Sequence, residues 1–451
     1  LRVMMVNPLH PLVPCVALSF QCTCNQFTAA DVSEQWKLVE TLWDKHLRNV
    51  LGPLVGHGSD GDSRRFHEQH RLMSLQPSAA NRRFRSSWRG FLLTGRVKPN
   101  GDVADLHSQD TFHNAKKMQS PMAVASRDLA CGSHLATWWH IELLGDPSLF
   151  RPSEHGLHRR DILRKDAMSV KTVERTEAKK VDTCLEKLAA GVSQRDGGLA
   201  NLLSPEARPV ENGERFPEDT LGTRTWLEII RIFLRIFFST KDTLETRVEN
   251  CAVVVSFLRI KRQWIENDDS YTLGKHAESR QCYQHVILQC ESAALKIEAF
   301  REFYKDKTAK MPCYLARSGS DCCETLFSKI GGFGAIQLNR RNFNINDALE
   351  MAGDLLKMAF YAYDPECPLV FKKANSSLEL VMADLELDNT APDADLCIYP
   401  TVEQVSAAGE RGLTRAQAYA AKGGMDNRQP RPVWWNEPWR GEERAVHRMR
   451  D

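Results

Sequence analysis

The sequence predicts a mixed α/β protein in which a sheet-forming part is interrupted by a large all-α block. Two observations carry this. Short β-branched or apolar runs punctuated by Pro and Gly occur before residue 110 and return near 311–330. Between them, Trp226 to Lys305 reads as almost unbroken helix, with apolar residues at helical spacing. The expected organisation is a first sheet-containing part at 1–149, a helical insertion at 150–305, a second sheet-containing part at 306–365, and a weakly structured tail at 366–451.

The elements follow in order. Val3–Val6 and Cys15–Phe20 read as strands separated by Pro and His. From Thr28 to Asn49 the pattern is helical; Thr28 is a natural N-cap, and Val32, Trp36, Val39, Leu42 and Trp43 share one face. The run LGPLVGHGSDGDSRR is a short apolar strand ending in an acidic, Gly-rich corner, with a helix after it. NRRFRSSWRG is a basic aromatic stretch, and FLLTGRV a strand. Asp110 to Leu144 reads as helical. Charge-rich residues 164–191 suggest an exposed helix ending at Gly191, and 193–223, with three prolines, a loop. In the helical block, Trp226 to Phe238 is so apolar that burial is expected for Ile229, Ile230, Phe233, Leu234 and Phe237. Further helices are expected at about 243–266 and 277–304, and an amphipathic one at 346–363.

Composition excludes several classes. With 42% hydrophobic and 26% charged residues, the 451-residue chain has ample material for a packed core. Lys and Arg number 60 against 58 Asp and Glu, so a nucleic-acid partner has to be argued from local patches. The most apolar stretch, WLEIIRIFLRIFF, carries Glu228, Arg231 and Arg235 and is too short to span a bilayer, so no membrane association is expected. The 13 cysteines show no CxxC pair, which fits reduced thiols better than a disulfide scaffold or zinc finger. His276, Cys282, His285 and Cys290 have the chemistry of a zinc set, but they lie on a helical pattern where Cys usually fills a core.

Three motifs could carry chemistry. In Ser59-Asp60-Gly61-Asp62-Ser63-Arg64-Arg65, two carboxylates after a strand suit a hard divalent cation; the plain alternative is an acidic turn capping the next helix. In Asp110-Thr111-Phe112-His113, Asp110 caps a helix with His113 one turn on, and Lys116 and Lys117 could meet phosphates. In Ser320-Asp321-Cys322-Cys323-Glu324, Glu324 projects from the first turn of a helix, where a capping-box role is the plain alternative.

The set SDGDSRR, QDTFHNAKK and SDCCETLFS, in that order, resembles the P-element type of DNA transposase, related to the hAT group and to animal proteins with a THAP zinc finger. The resemblance covers roughly residues 10–365. It implies an RNase H-like mixed sheet with flanking helices, split by the helical insertion. It also implies Asp60 and Glu324 as catalytic, metal-binding carboxylates, with Asp62, Asp110 and His113 behind them. Two Mg²⁺ or Mn²⁺ ions would then serve phosphodiester cleavage and strand transfer on DNA in the nucleus. Arg64, Arg65, Arg82, Arg83, Lys116 and Lys117 would contact DNA phosphates. A homo-oligomer is compatible with that ancestry.

The chain departs from the pattern in three ways. The family's first catalytic Asp belongs before the Cys15–Phe20 segment, yet no acidic residue occurs from Leu1 to Ala30; that Asp is expected to be absent or to lie upstream. No zinc-finger pattern precedes the core, and no phosphate-binding GxxxxGK[ST] loop is present, so no nucleotide cofactor is expected. Strand transfer is therefore expected to be impaired. The competing expectation is a non-catalytic DNA-binding or protein-interaction module that kept the fold.

Overall fold

The structure, a computed structural model, describes residues 2–6, 9, 16–21, 28–59, 63–78, 81–124, 126–164, 170–190, 219–308, 310–318 and 395–425. The chain is mixed α/β, mostly helical, with small sheets. Strands β1 (Arg2–Val6) and β2 (Val16–Gln21) form an antiparallel hairpin. Helix α1 (Ala29–His46) starts at Thr28, whose side chain and that of Asp31 cap each other's backbone N–H groups. Short α2 (Arg48–Leu51), β3 (Gly58–Ser59) and α3 (Ser63–Met73) follow. Strands β4 (Arg83–Arg85), β5 (Thr94–Val97) and β6 (Val103–Ala104) make an antiparallel meander, and β7 (Ser108–Gln109) runs parallel to β3.

Helix α1 is held to the meander largely by charge. Arg96 pairs with Glu40 and Asp105, and Lys98 with Glu40 and Asp44. Only Val32 and Trp43 of its expected apolar face are buried, and Leu42 is 48% exposed. The ionic contacts substitute for part of the missing apolar ones.

After α4 (Thr111–Gln119) and a 3-10 turn, β8 (Leu129–Cys131) and β9 (His134–Ala136) form a hairpin where continuous helix was expected. Its two-residue turn needs Gly132, at φ 71°. Helices α5 (Trp139–Leu144), α6 (Pro152–His155), α7 (Arg159–Ile162), α8 (Val170–Thr176) and α9 (Lys179–Ala189) come next. The region expected to be one exposed helix is two helices, and one face of them is buried. Val173, Glu174, Thr176, Glu177, Val181, Leu185 and Leu188 are all buried, because α4 and α10 pack against them.

Helices occur where they were expected between Trp226 and Lys305, with one short extra helix. The block contains α10 (Leu221–Phe238), α11 (Leu244–Asn267), α12 (Leu273–His276) and α13 (Arg280–Tyr304). Ile229, Ile230, Phe233, Leu234 and Phe237 are each at most 1% exposed. Packing on α4, β9, α11 and α13 covers the apolar faces of α10 and leaves only the Arg224, Glu228, Arg231 and Arg235 stripe partly exposed, so a helix this apolar exposes no apolar patch.

The block is not a separate lobe. Helix α13 contributes Leu288, Leu295 and Ala299 to the small core built on Phe66, Met73, Leu93, Val103 and Leu106. Its buried acids also serve the sheet side. Glu291 accepts the backbone N–H groups of Leu92 and Leu93 and pairs with Arg259, while Glu298 accepts from Ser86 and Ser87.

The tail expectation needs correction. Within 366–451, α14 (Val402–Lys422) is a well-formed helix capped by Thr401 and Gln404. Its buried face is Val405, Ala408, Gly409, Gly412, Ala416 and Ala420, seated on α11. Gly412 lets the helix approach so closely that a Cβ there would overlap the Glu249 carbonyl and Ala252. Arg411 and Arg415 pair with Glu249 across the contact. The segment 310–318 does reach the N-terminal part, where the Tyr314 N–H donates to the Leu9 carbonyl at 3.1 Å. The expected helix at 346–363 lies outside the described residues.

Candidate functional site

The sequence before Asp60 folds into β3 because a short apolar approach ends in small residues that tolerate a turn. Strand β3 pairs in parallel with β7, with Gly58 opposite Ser108 and Ser59 opposite Gln109. Two motifs some fifty residues apart thereby end side by side. The residue after Ser59 is Asp60, and the residue after Gln109 is Asp110. The Asp110 N–H donates to the Ser59 carbonyl at 2.9 Å, which extends the pairing by one step. In parallel α/β sheets, ligands bind just beyond the carboxyl ends of strands.

Asp110 is 3% exposed and is the N-cap of α4; its Oδ1 accepts the His113 N–H at 2.6 Å. That carboxylate is therefore spent at least partly on the helix start. His113, Lys116 and Lys117 are half-buried on α4. Lys117 Nζ donates to His285 Nδ1 on α13 at 3.1 Å. His285 is fully buried against Phe66, with ring centroids 4.0 Å apart, and its Nε2 has no hydrogen-bond partner. Burial first, then the nearby Lys117, His113, His67 and His70, pull the His285 pKa down to about 3.

Beneath the two strand ends lies a buried polar layer. Gln109 Nε2 donates to Ser59 Oγ at 3.0 Å and to Gln69 Oε1; Gln69 Nε2 in turn donates to the carbonyls of His57 and Ser108. From α13, Gln289 donates to Thr111 Oγ1 at 2.7 Å and accepts from Asn114, and Lys296 donates to Ser108 Oγ. Burial pulls the Lys296 amine down to about 8. Behind this layer, Trp36 stacks on His57 and His107 at 4.7 and 4.8 Å. The layer fixes the register and angle of β3 and β7 through side chains from α1, α3 and α13.

Asp60, Asp62 and Glu324 lie outside the described residues. Arg64 and Arg65 are half-buried at the start of α3, and Arg82 is exposed. Arg83 has to be removed from the DNA-contacting set. Its side chain is 0% exposed, and its guanidinium donates to the Leu72 and Thr94 carbonyls and to Thr94 Oγ1. The guanidinium sits between the end of α3 and β5.

The zinc alternative is not supported. Cys282 and Cys290 are buried free thiols packed in the helical core, and burial pushes both upward in pKa. Among the described residues no group of three or more His, Cys, Asp or Glu could hold a metal ion. No helix among the described residues is long and apolar enough to cross a membrane.

Sequence reasoning missed Gln69, Gln109, His107, Gln289 and Lys296. One signal was available: Lys296 interrupts the apolar run AALKIEAF. The others sit in polar surroundings that look solvated. No family model, curated protein or solved structure matches this chain.

Proposed function

We propose that this chain is a transposase-derived, DNA-acting protein whose working corner is the paired carboxyl ends of β3 and β7. The supporting observation is the parallel β3–β7 pairing, which sets Ser59, the first residue of the SDG motif, beside Gln109, the first residue of QDTFH. An RNase H-like core needs such an arrangement, because acids from adjacent strand ends must converge on one phosphodiester. On this reading Asp60 and Glu324 are the acids that hold Mg²⁺ or Mn²⁺, and the metal supplies charge stabilisation for in-line displacement. Asp110 orders α4 by capping it, and Lys117 holds His285 between α4 and α13. The protein would act in the nucleus, where its DNA partner resides.

A second reading, a non-catalytic DNA-binding module, is favoured by one observation. The described acid at the corner, Asp110, caps a helix, and no described cluster suits a metal. Incubating supercoiled plasmid with the protein and Mn²⁺, in parallel with a gel-shift assay, separates the two. Slow nicking abolished by Asp60→Asn supports the enzyme reading, and binding without nicking supports the module. Absence of both removes the DNA-acting proposal altogether.

A further inference from the structure

Many arginines in the described structure are committed to carboxylates. Arg48 pairs with Asp102, Arg96 with Glu40 and Asp105, and Arg175 with Asp161. The segment Arg82 to Arg89, RRFRSSWR, breaks that habit, with four arginines and no acid. Arg83 is the buried anchor described above. Arg82, Arg85 and Arg89 are exposed, and no carboxylate pairs with any of them among the described residues; Arg85 meets only the Gln76 amide oxygen, at 3.2 Å.

The backbone that carries the three is fixed. Strand β4 is the outer strand of the meander, paired on one side with β5. Arg83 ties it to Leu72 and Thr94, Ser86 and Ser87 donate to Glu298, and Trp88 is buried with its Nε1 on Glu410. Exposed cations on a rigid edge lose little freedom when they meet a ligand.

Charged side chains on an edge strand also deter strand-to-strand aggregation, and that role needs no ligand. Lysine serves that role most often, whereas all the cations here are arginines, the side chain whose planar fork suits phosphate oxygens. Position adds a second argument. Helix α3 begins just after the SDGD corner and ends against β4 and β5, where Thr94 Oγ1 donates to the Met73 carbonyl. At 1.5 Å per residue the 11-residue helix is roughly 16 Å long, which sets the scale of the separation between the strand-end corner and β4. Along one DNA strand that is about five phosphates.

We infer that Arg82, Arg85 and Arg89 form a docking strip for the phosphate backbone of duplex DNA, at a fixed distance from the corner formed by β3 and β7. This rests on the DNA-acting reading of that corner and adds the surface that holds the flanking duplex. The strip is sequence-neutral, because it contacts phosphates and not base edges.

The test is fluorescence anisotropy of the full chain with a labelled 30-base-pair duplex, titrated over a series of salt concentrations. Wild type is compared with Arg82→Gln/Arg85→Gln/Arg89→Gln. A control of equal charge change, Arg151→Gln/Arg159→Gln/Arg160→Gln, alters exposed residues just before α6 and on α7. The strip variant should bind at least about tenfold more weakly at low salt, with a log K against log salt slope shallower by about 2 to 3. The control should bind like wild type. If wild type binds DNA and the strip variant keeps its affinity and slope, the strip is wrong while the DNA-acting reading stands. Equal losses in both variants would reduce the effect to net charge and overturn the strip. If wild type binds no duplex, the DNA-acting reading fails and takes the strip with it. Labelled polyglutamate bound as tightly as DNA, and lost in the same variant, would overturn the assignment to nucleic acid.

Discussion

Acidification should unfold this protein through its buried histidines, and His285 allows the effect to be worked out. The ring is fully buried against Phe66, Lys117 Nζ occupies Nδ1, and Nε2 meets no acceptor. Its folded pKa of about 3 lies below the ordinary value of 6.5. A group with a lowered folded pKa costs nothing above pH 6.5. Below that the unfolded chain takes up a proton that the folded chain refuses, so stability falls until the folded ring also protonates near pH 3. At pH 5 this amounts to about 2 kcal/mol from the one histidine. His107, likewise buried and pulled down chiefly by desolvation, acts in the same direction. The assay is urea unfolding at pH 7 and pH 5 for wild type and His285→Phe. The apolar ring cannot titrate, so the loss between the two pH values should shrink by about 2 kcal/mol in the variant. An unchanged pH dependence would refute the reasoning, whatever the variant does to absolute stability.

Phe233→Ala, at a fully buried site on α10, should cost about 3–5 kcal/mol in the same unfolding assay. Glu174 is buried with neither carboxylate oxygen hydrogen-bonded, and burial pushes its pKa up to about 7. Its ionisation penalises the folded state as pH rises above 4.5, so Glu174→Gln should stabilise by up to about 3 kcal/mol at pH 8 and hardly at all at pH 4.5. Arg83→Gln should cost about 1–3 kcal/mol by stranding the Leu72 and Thr94 carbonyls, whereas Arg82→Gln should stay within about 0.5 kcal/mol. Equal thermal shifts for those two would contradict the inward and outward assignment.

The parts of the fold that sequence made legible are those with strong periodicity or an explicit cap. The helices at 221–238, 244–267 and 280–304 carry long apolar patterns, and Thr28 and Asp110 cap as their chemistry suggests. The β8–β9 hairpin was not legible because three-residue strands such as Leu-Ala-Cys show no alternation to count. Helix α14 was missed because its buried face is Ala and Gly, which pack by close approach and leave no large-residue stripe. Burial of Glu174 and Glu177 ran against their charge; α4 and α10 cover that face, and a single sequence does not reveal the neighbour.

The candidate site was legible as motifs and not as a layer. Asp110 and His113 stand where the DxxH spacing placed them, one turn apart at a helix start. That Ser59 and Gln109 would pair in parallel depends on Gln69, Gln289 and Lys296, contributed by α3 and α13 from distant parts of the chain. No local spacing encodes that contact.

Direct titration of Mn²⁺ tests the central claim, that the β3–β7 corner belongs to a transposase-type metal site. Wild type should bind Mn²⁺ weakly, and the double variant Asp60→Asn/Glu324→Gln should lose that binding while keeping its helical circular dichroism. Equal Mn²⁺ binding by the two folded proteins would contradict the claim and leave the corner without a metal role.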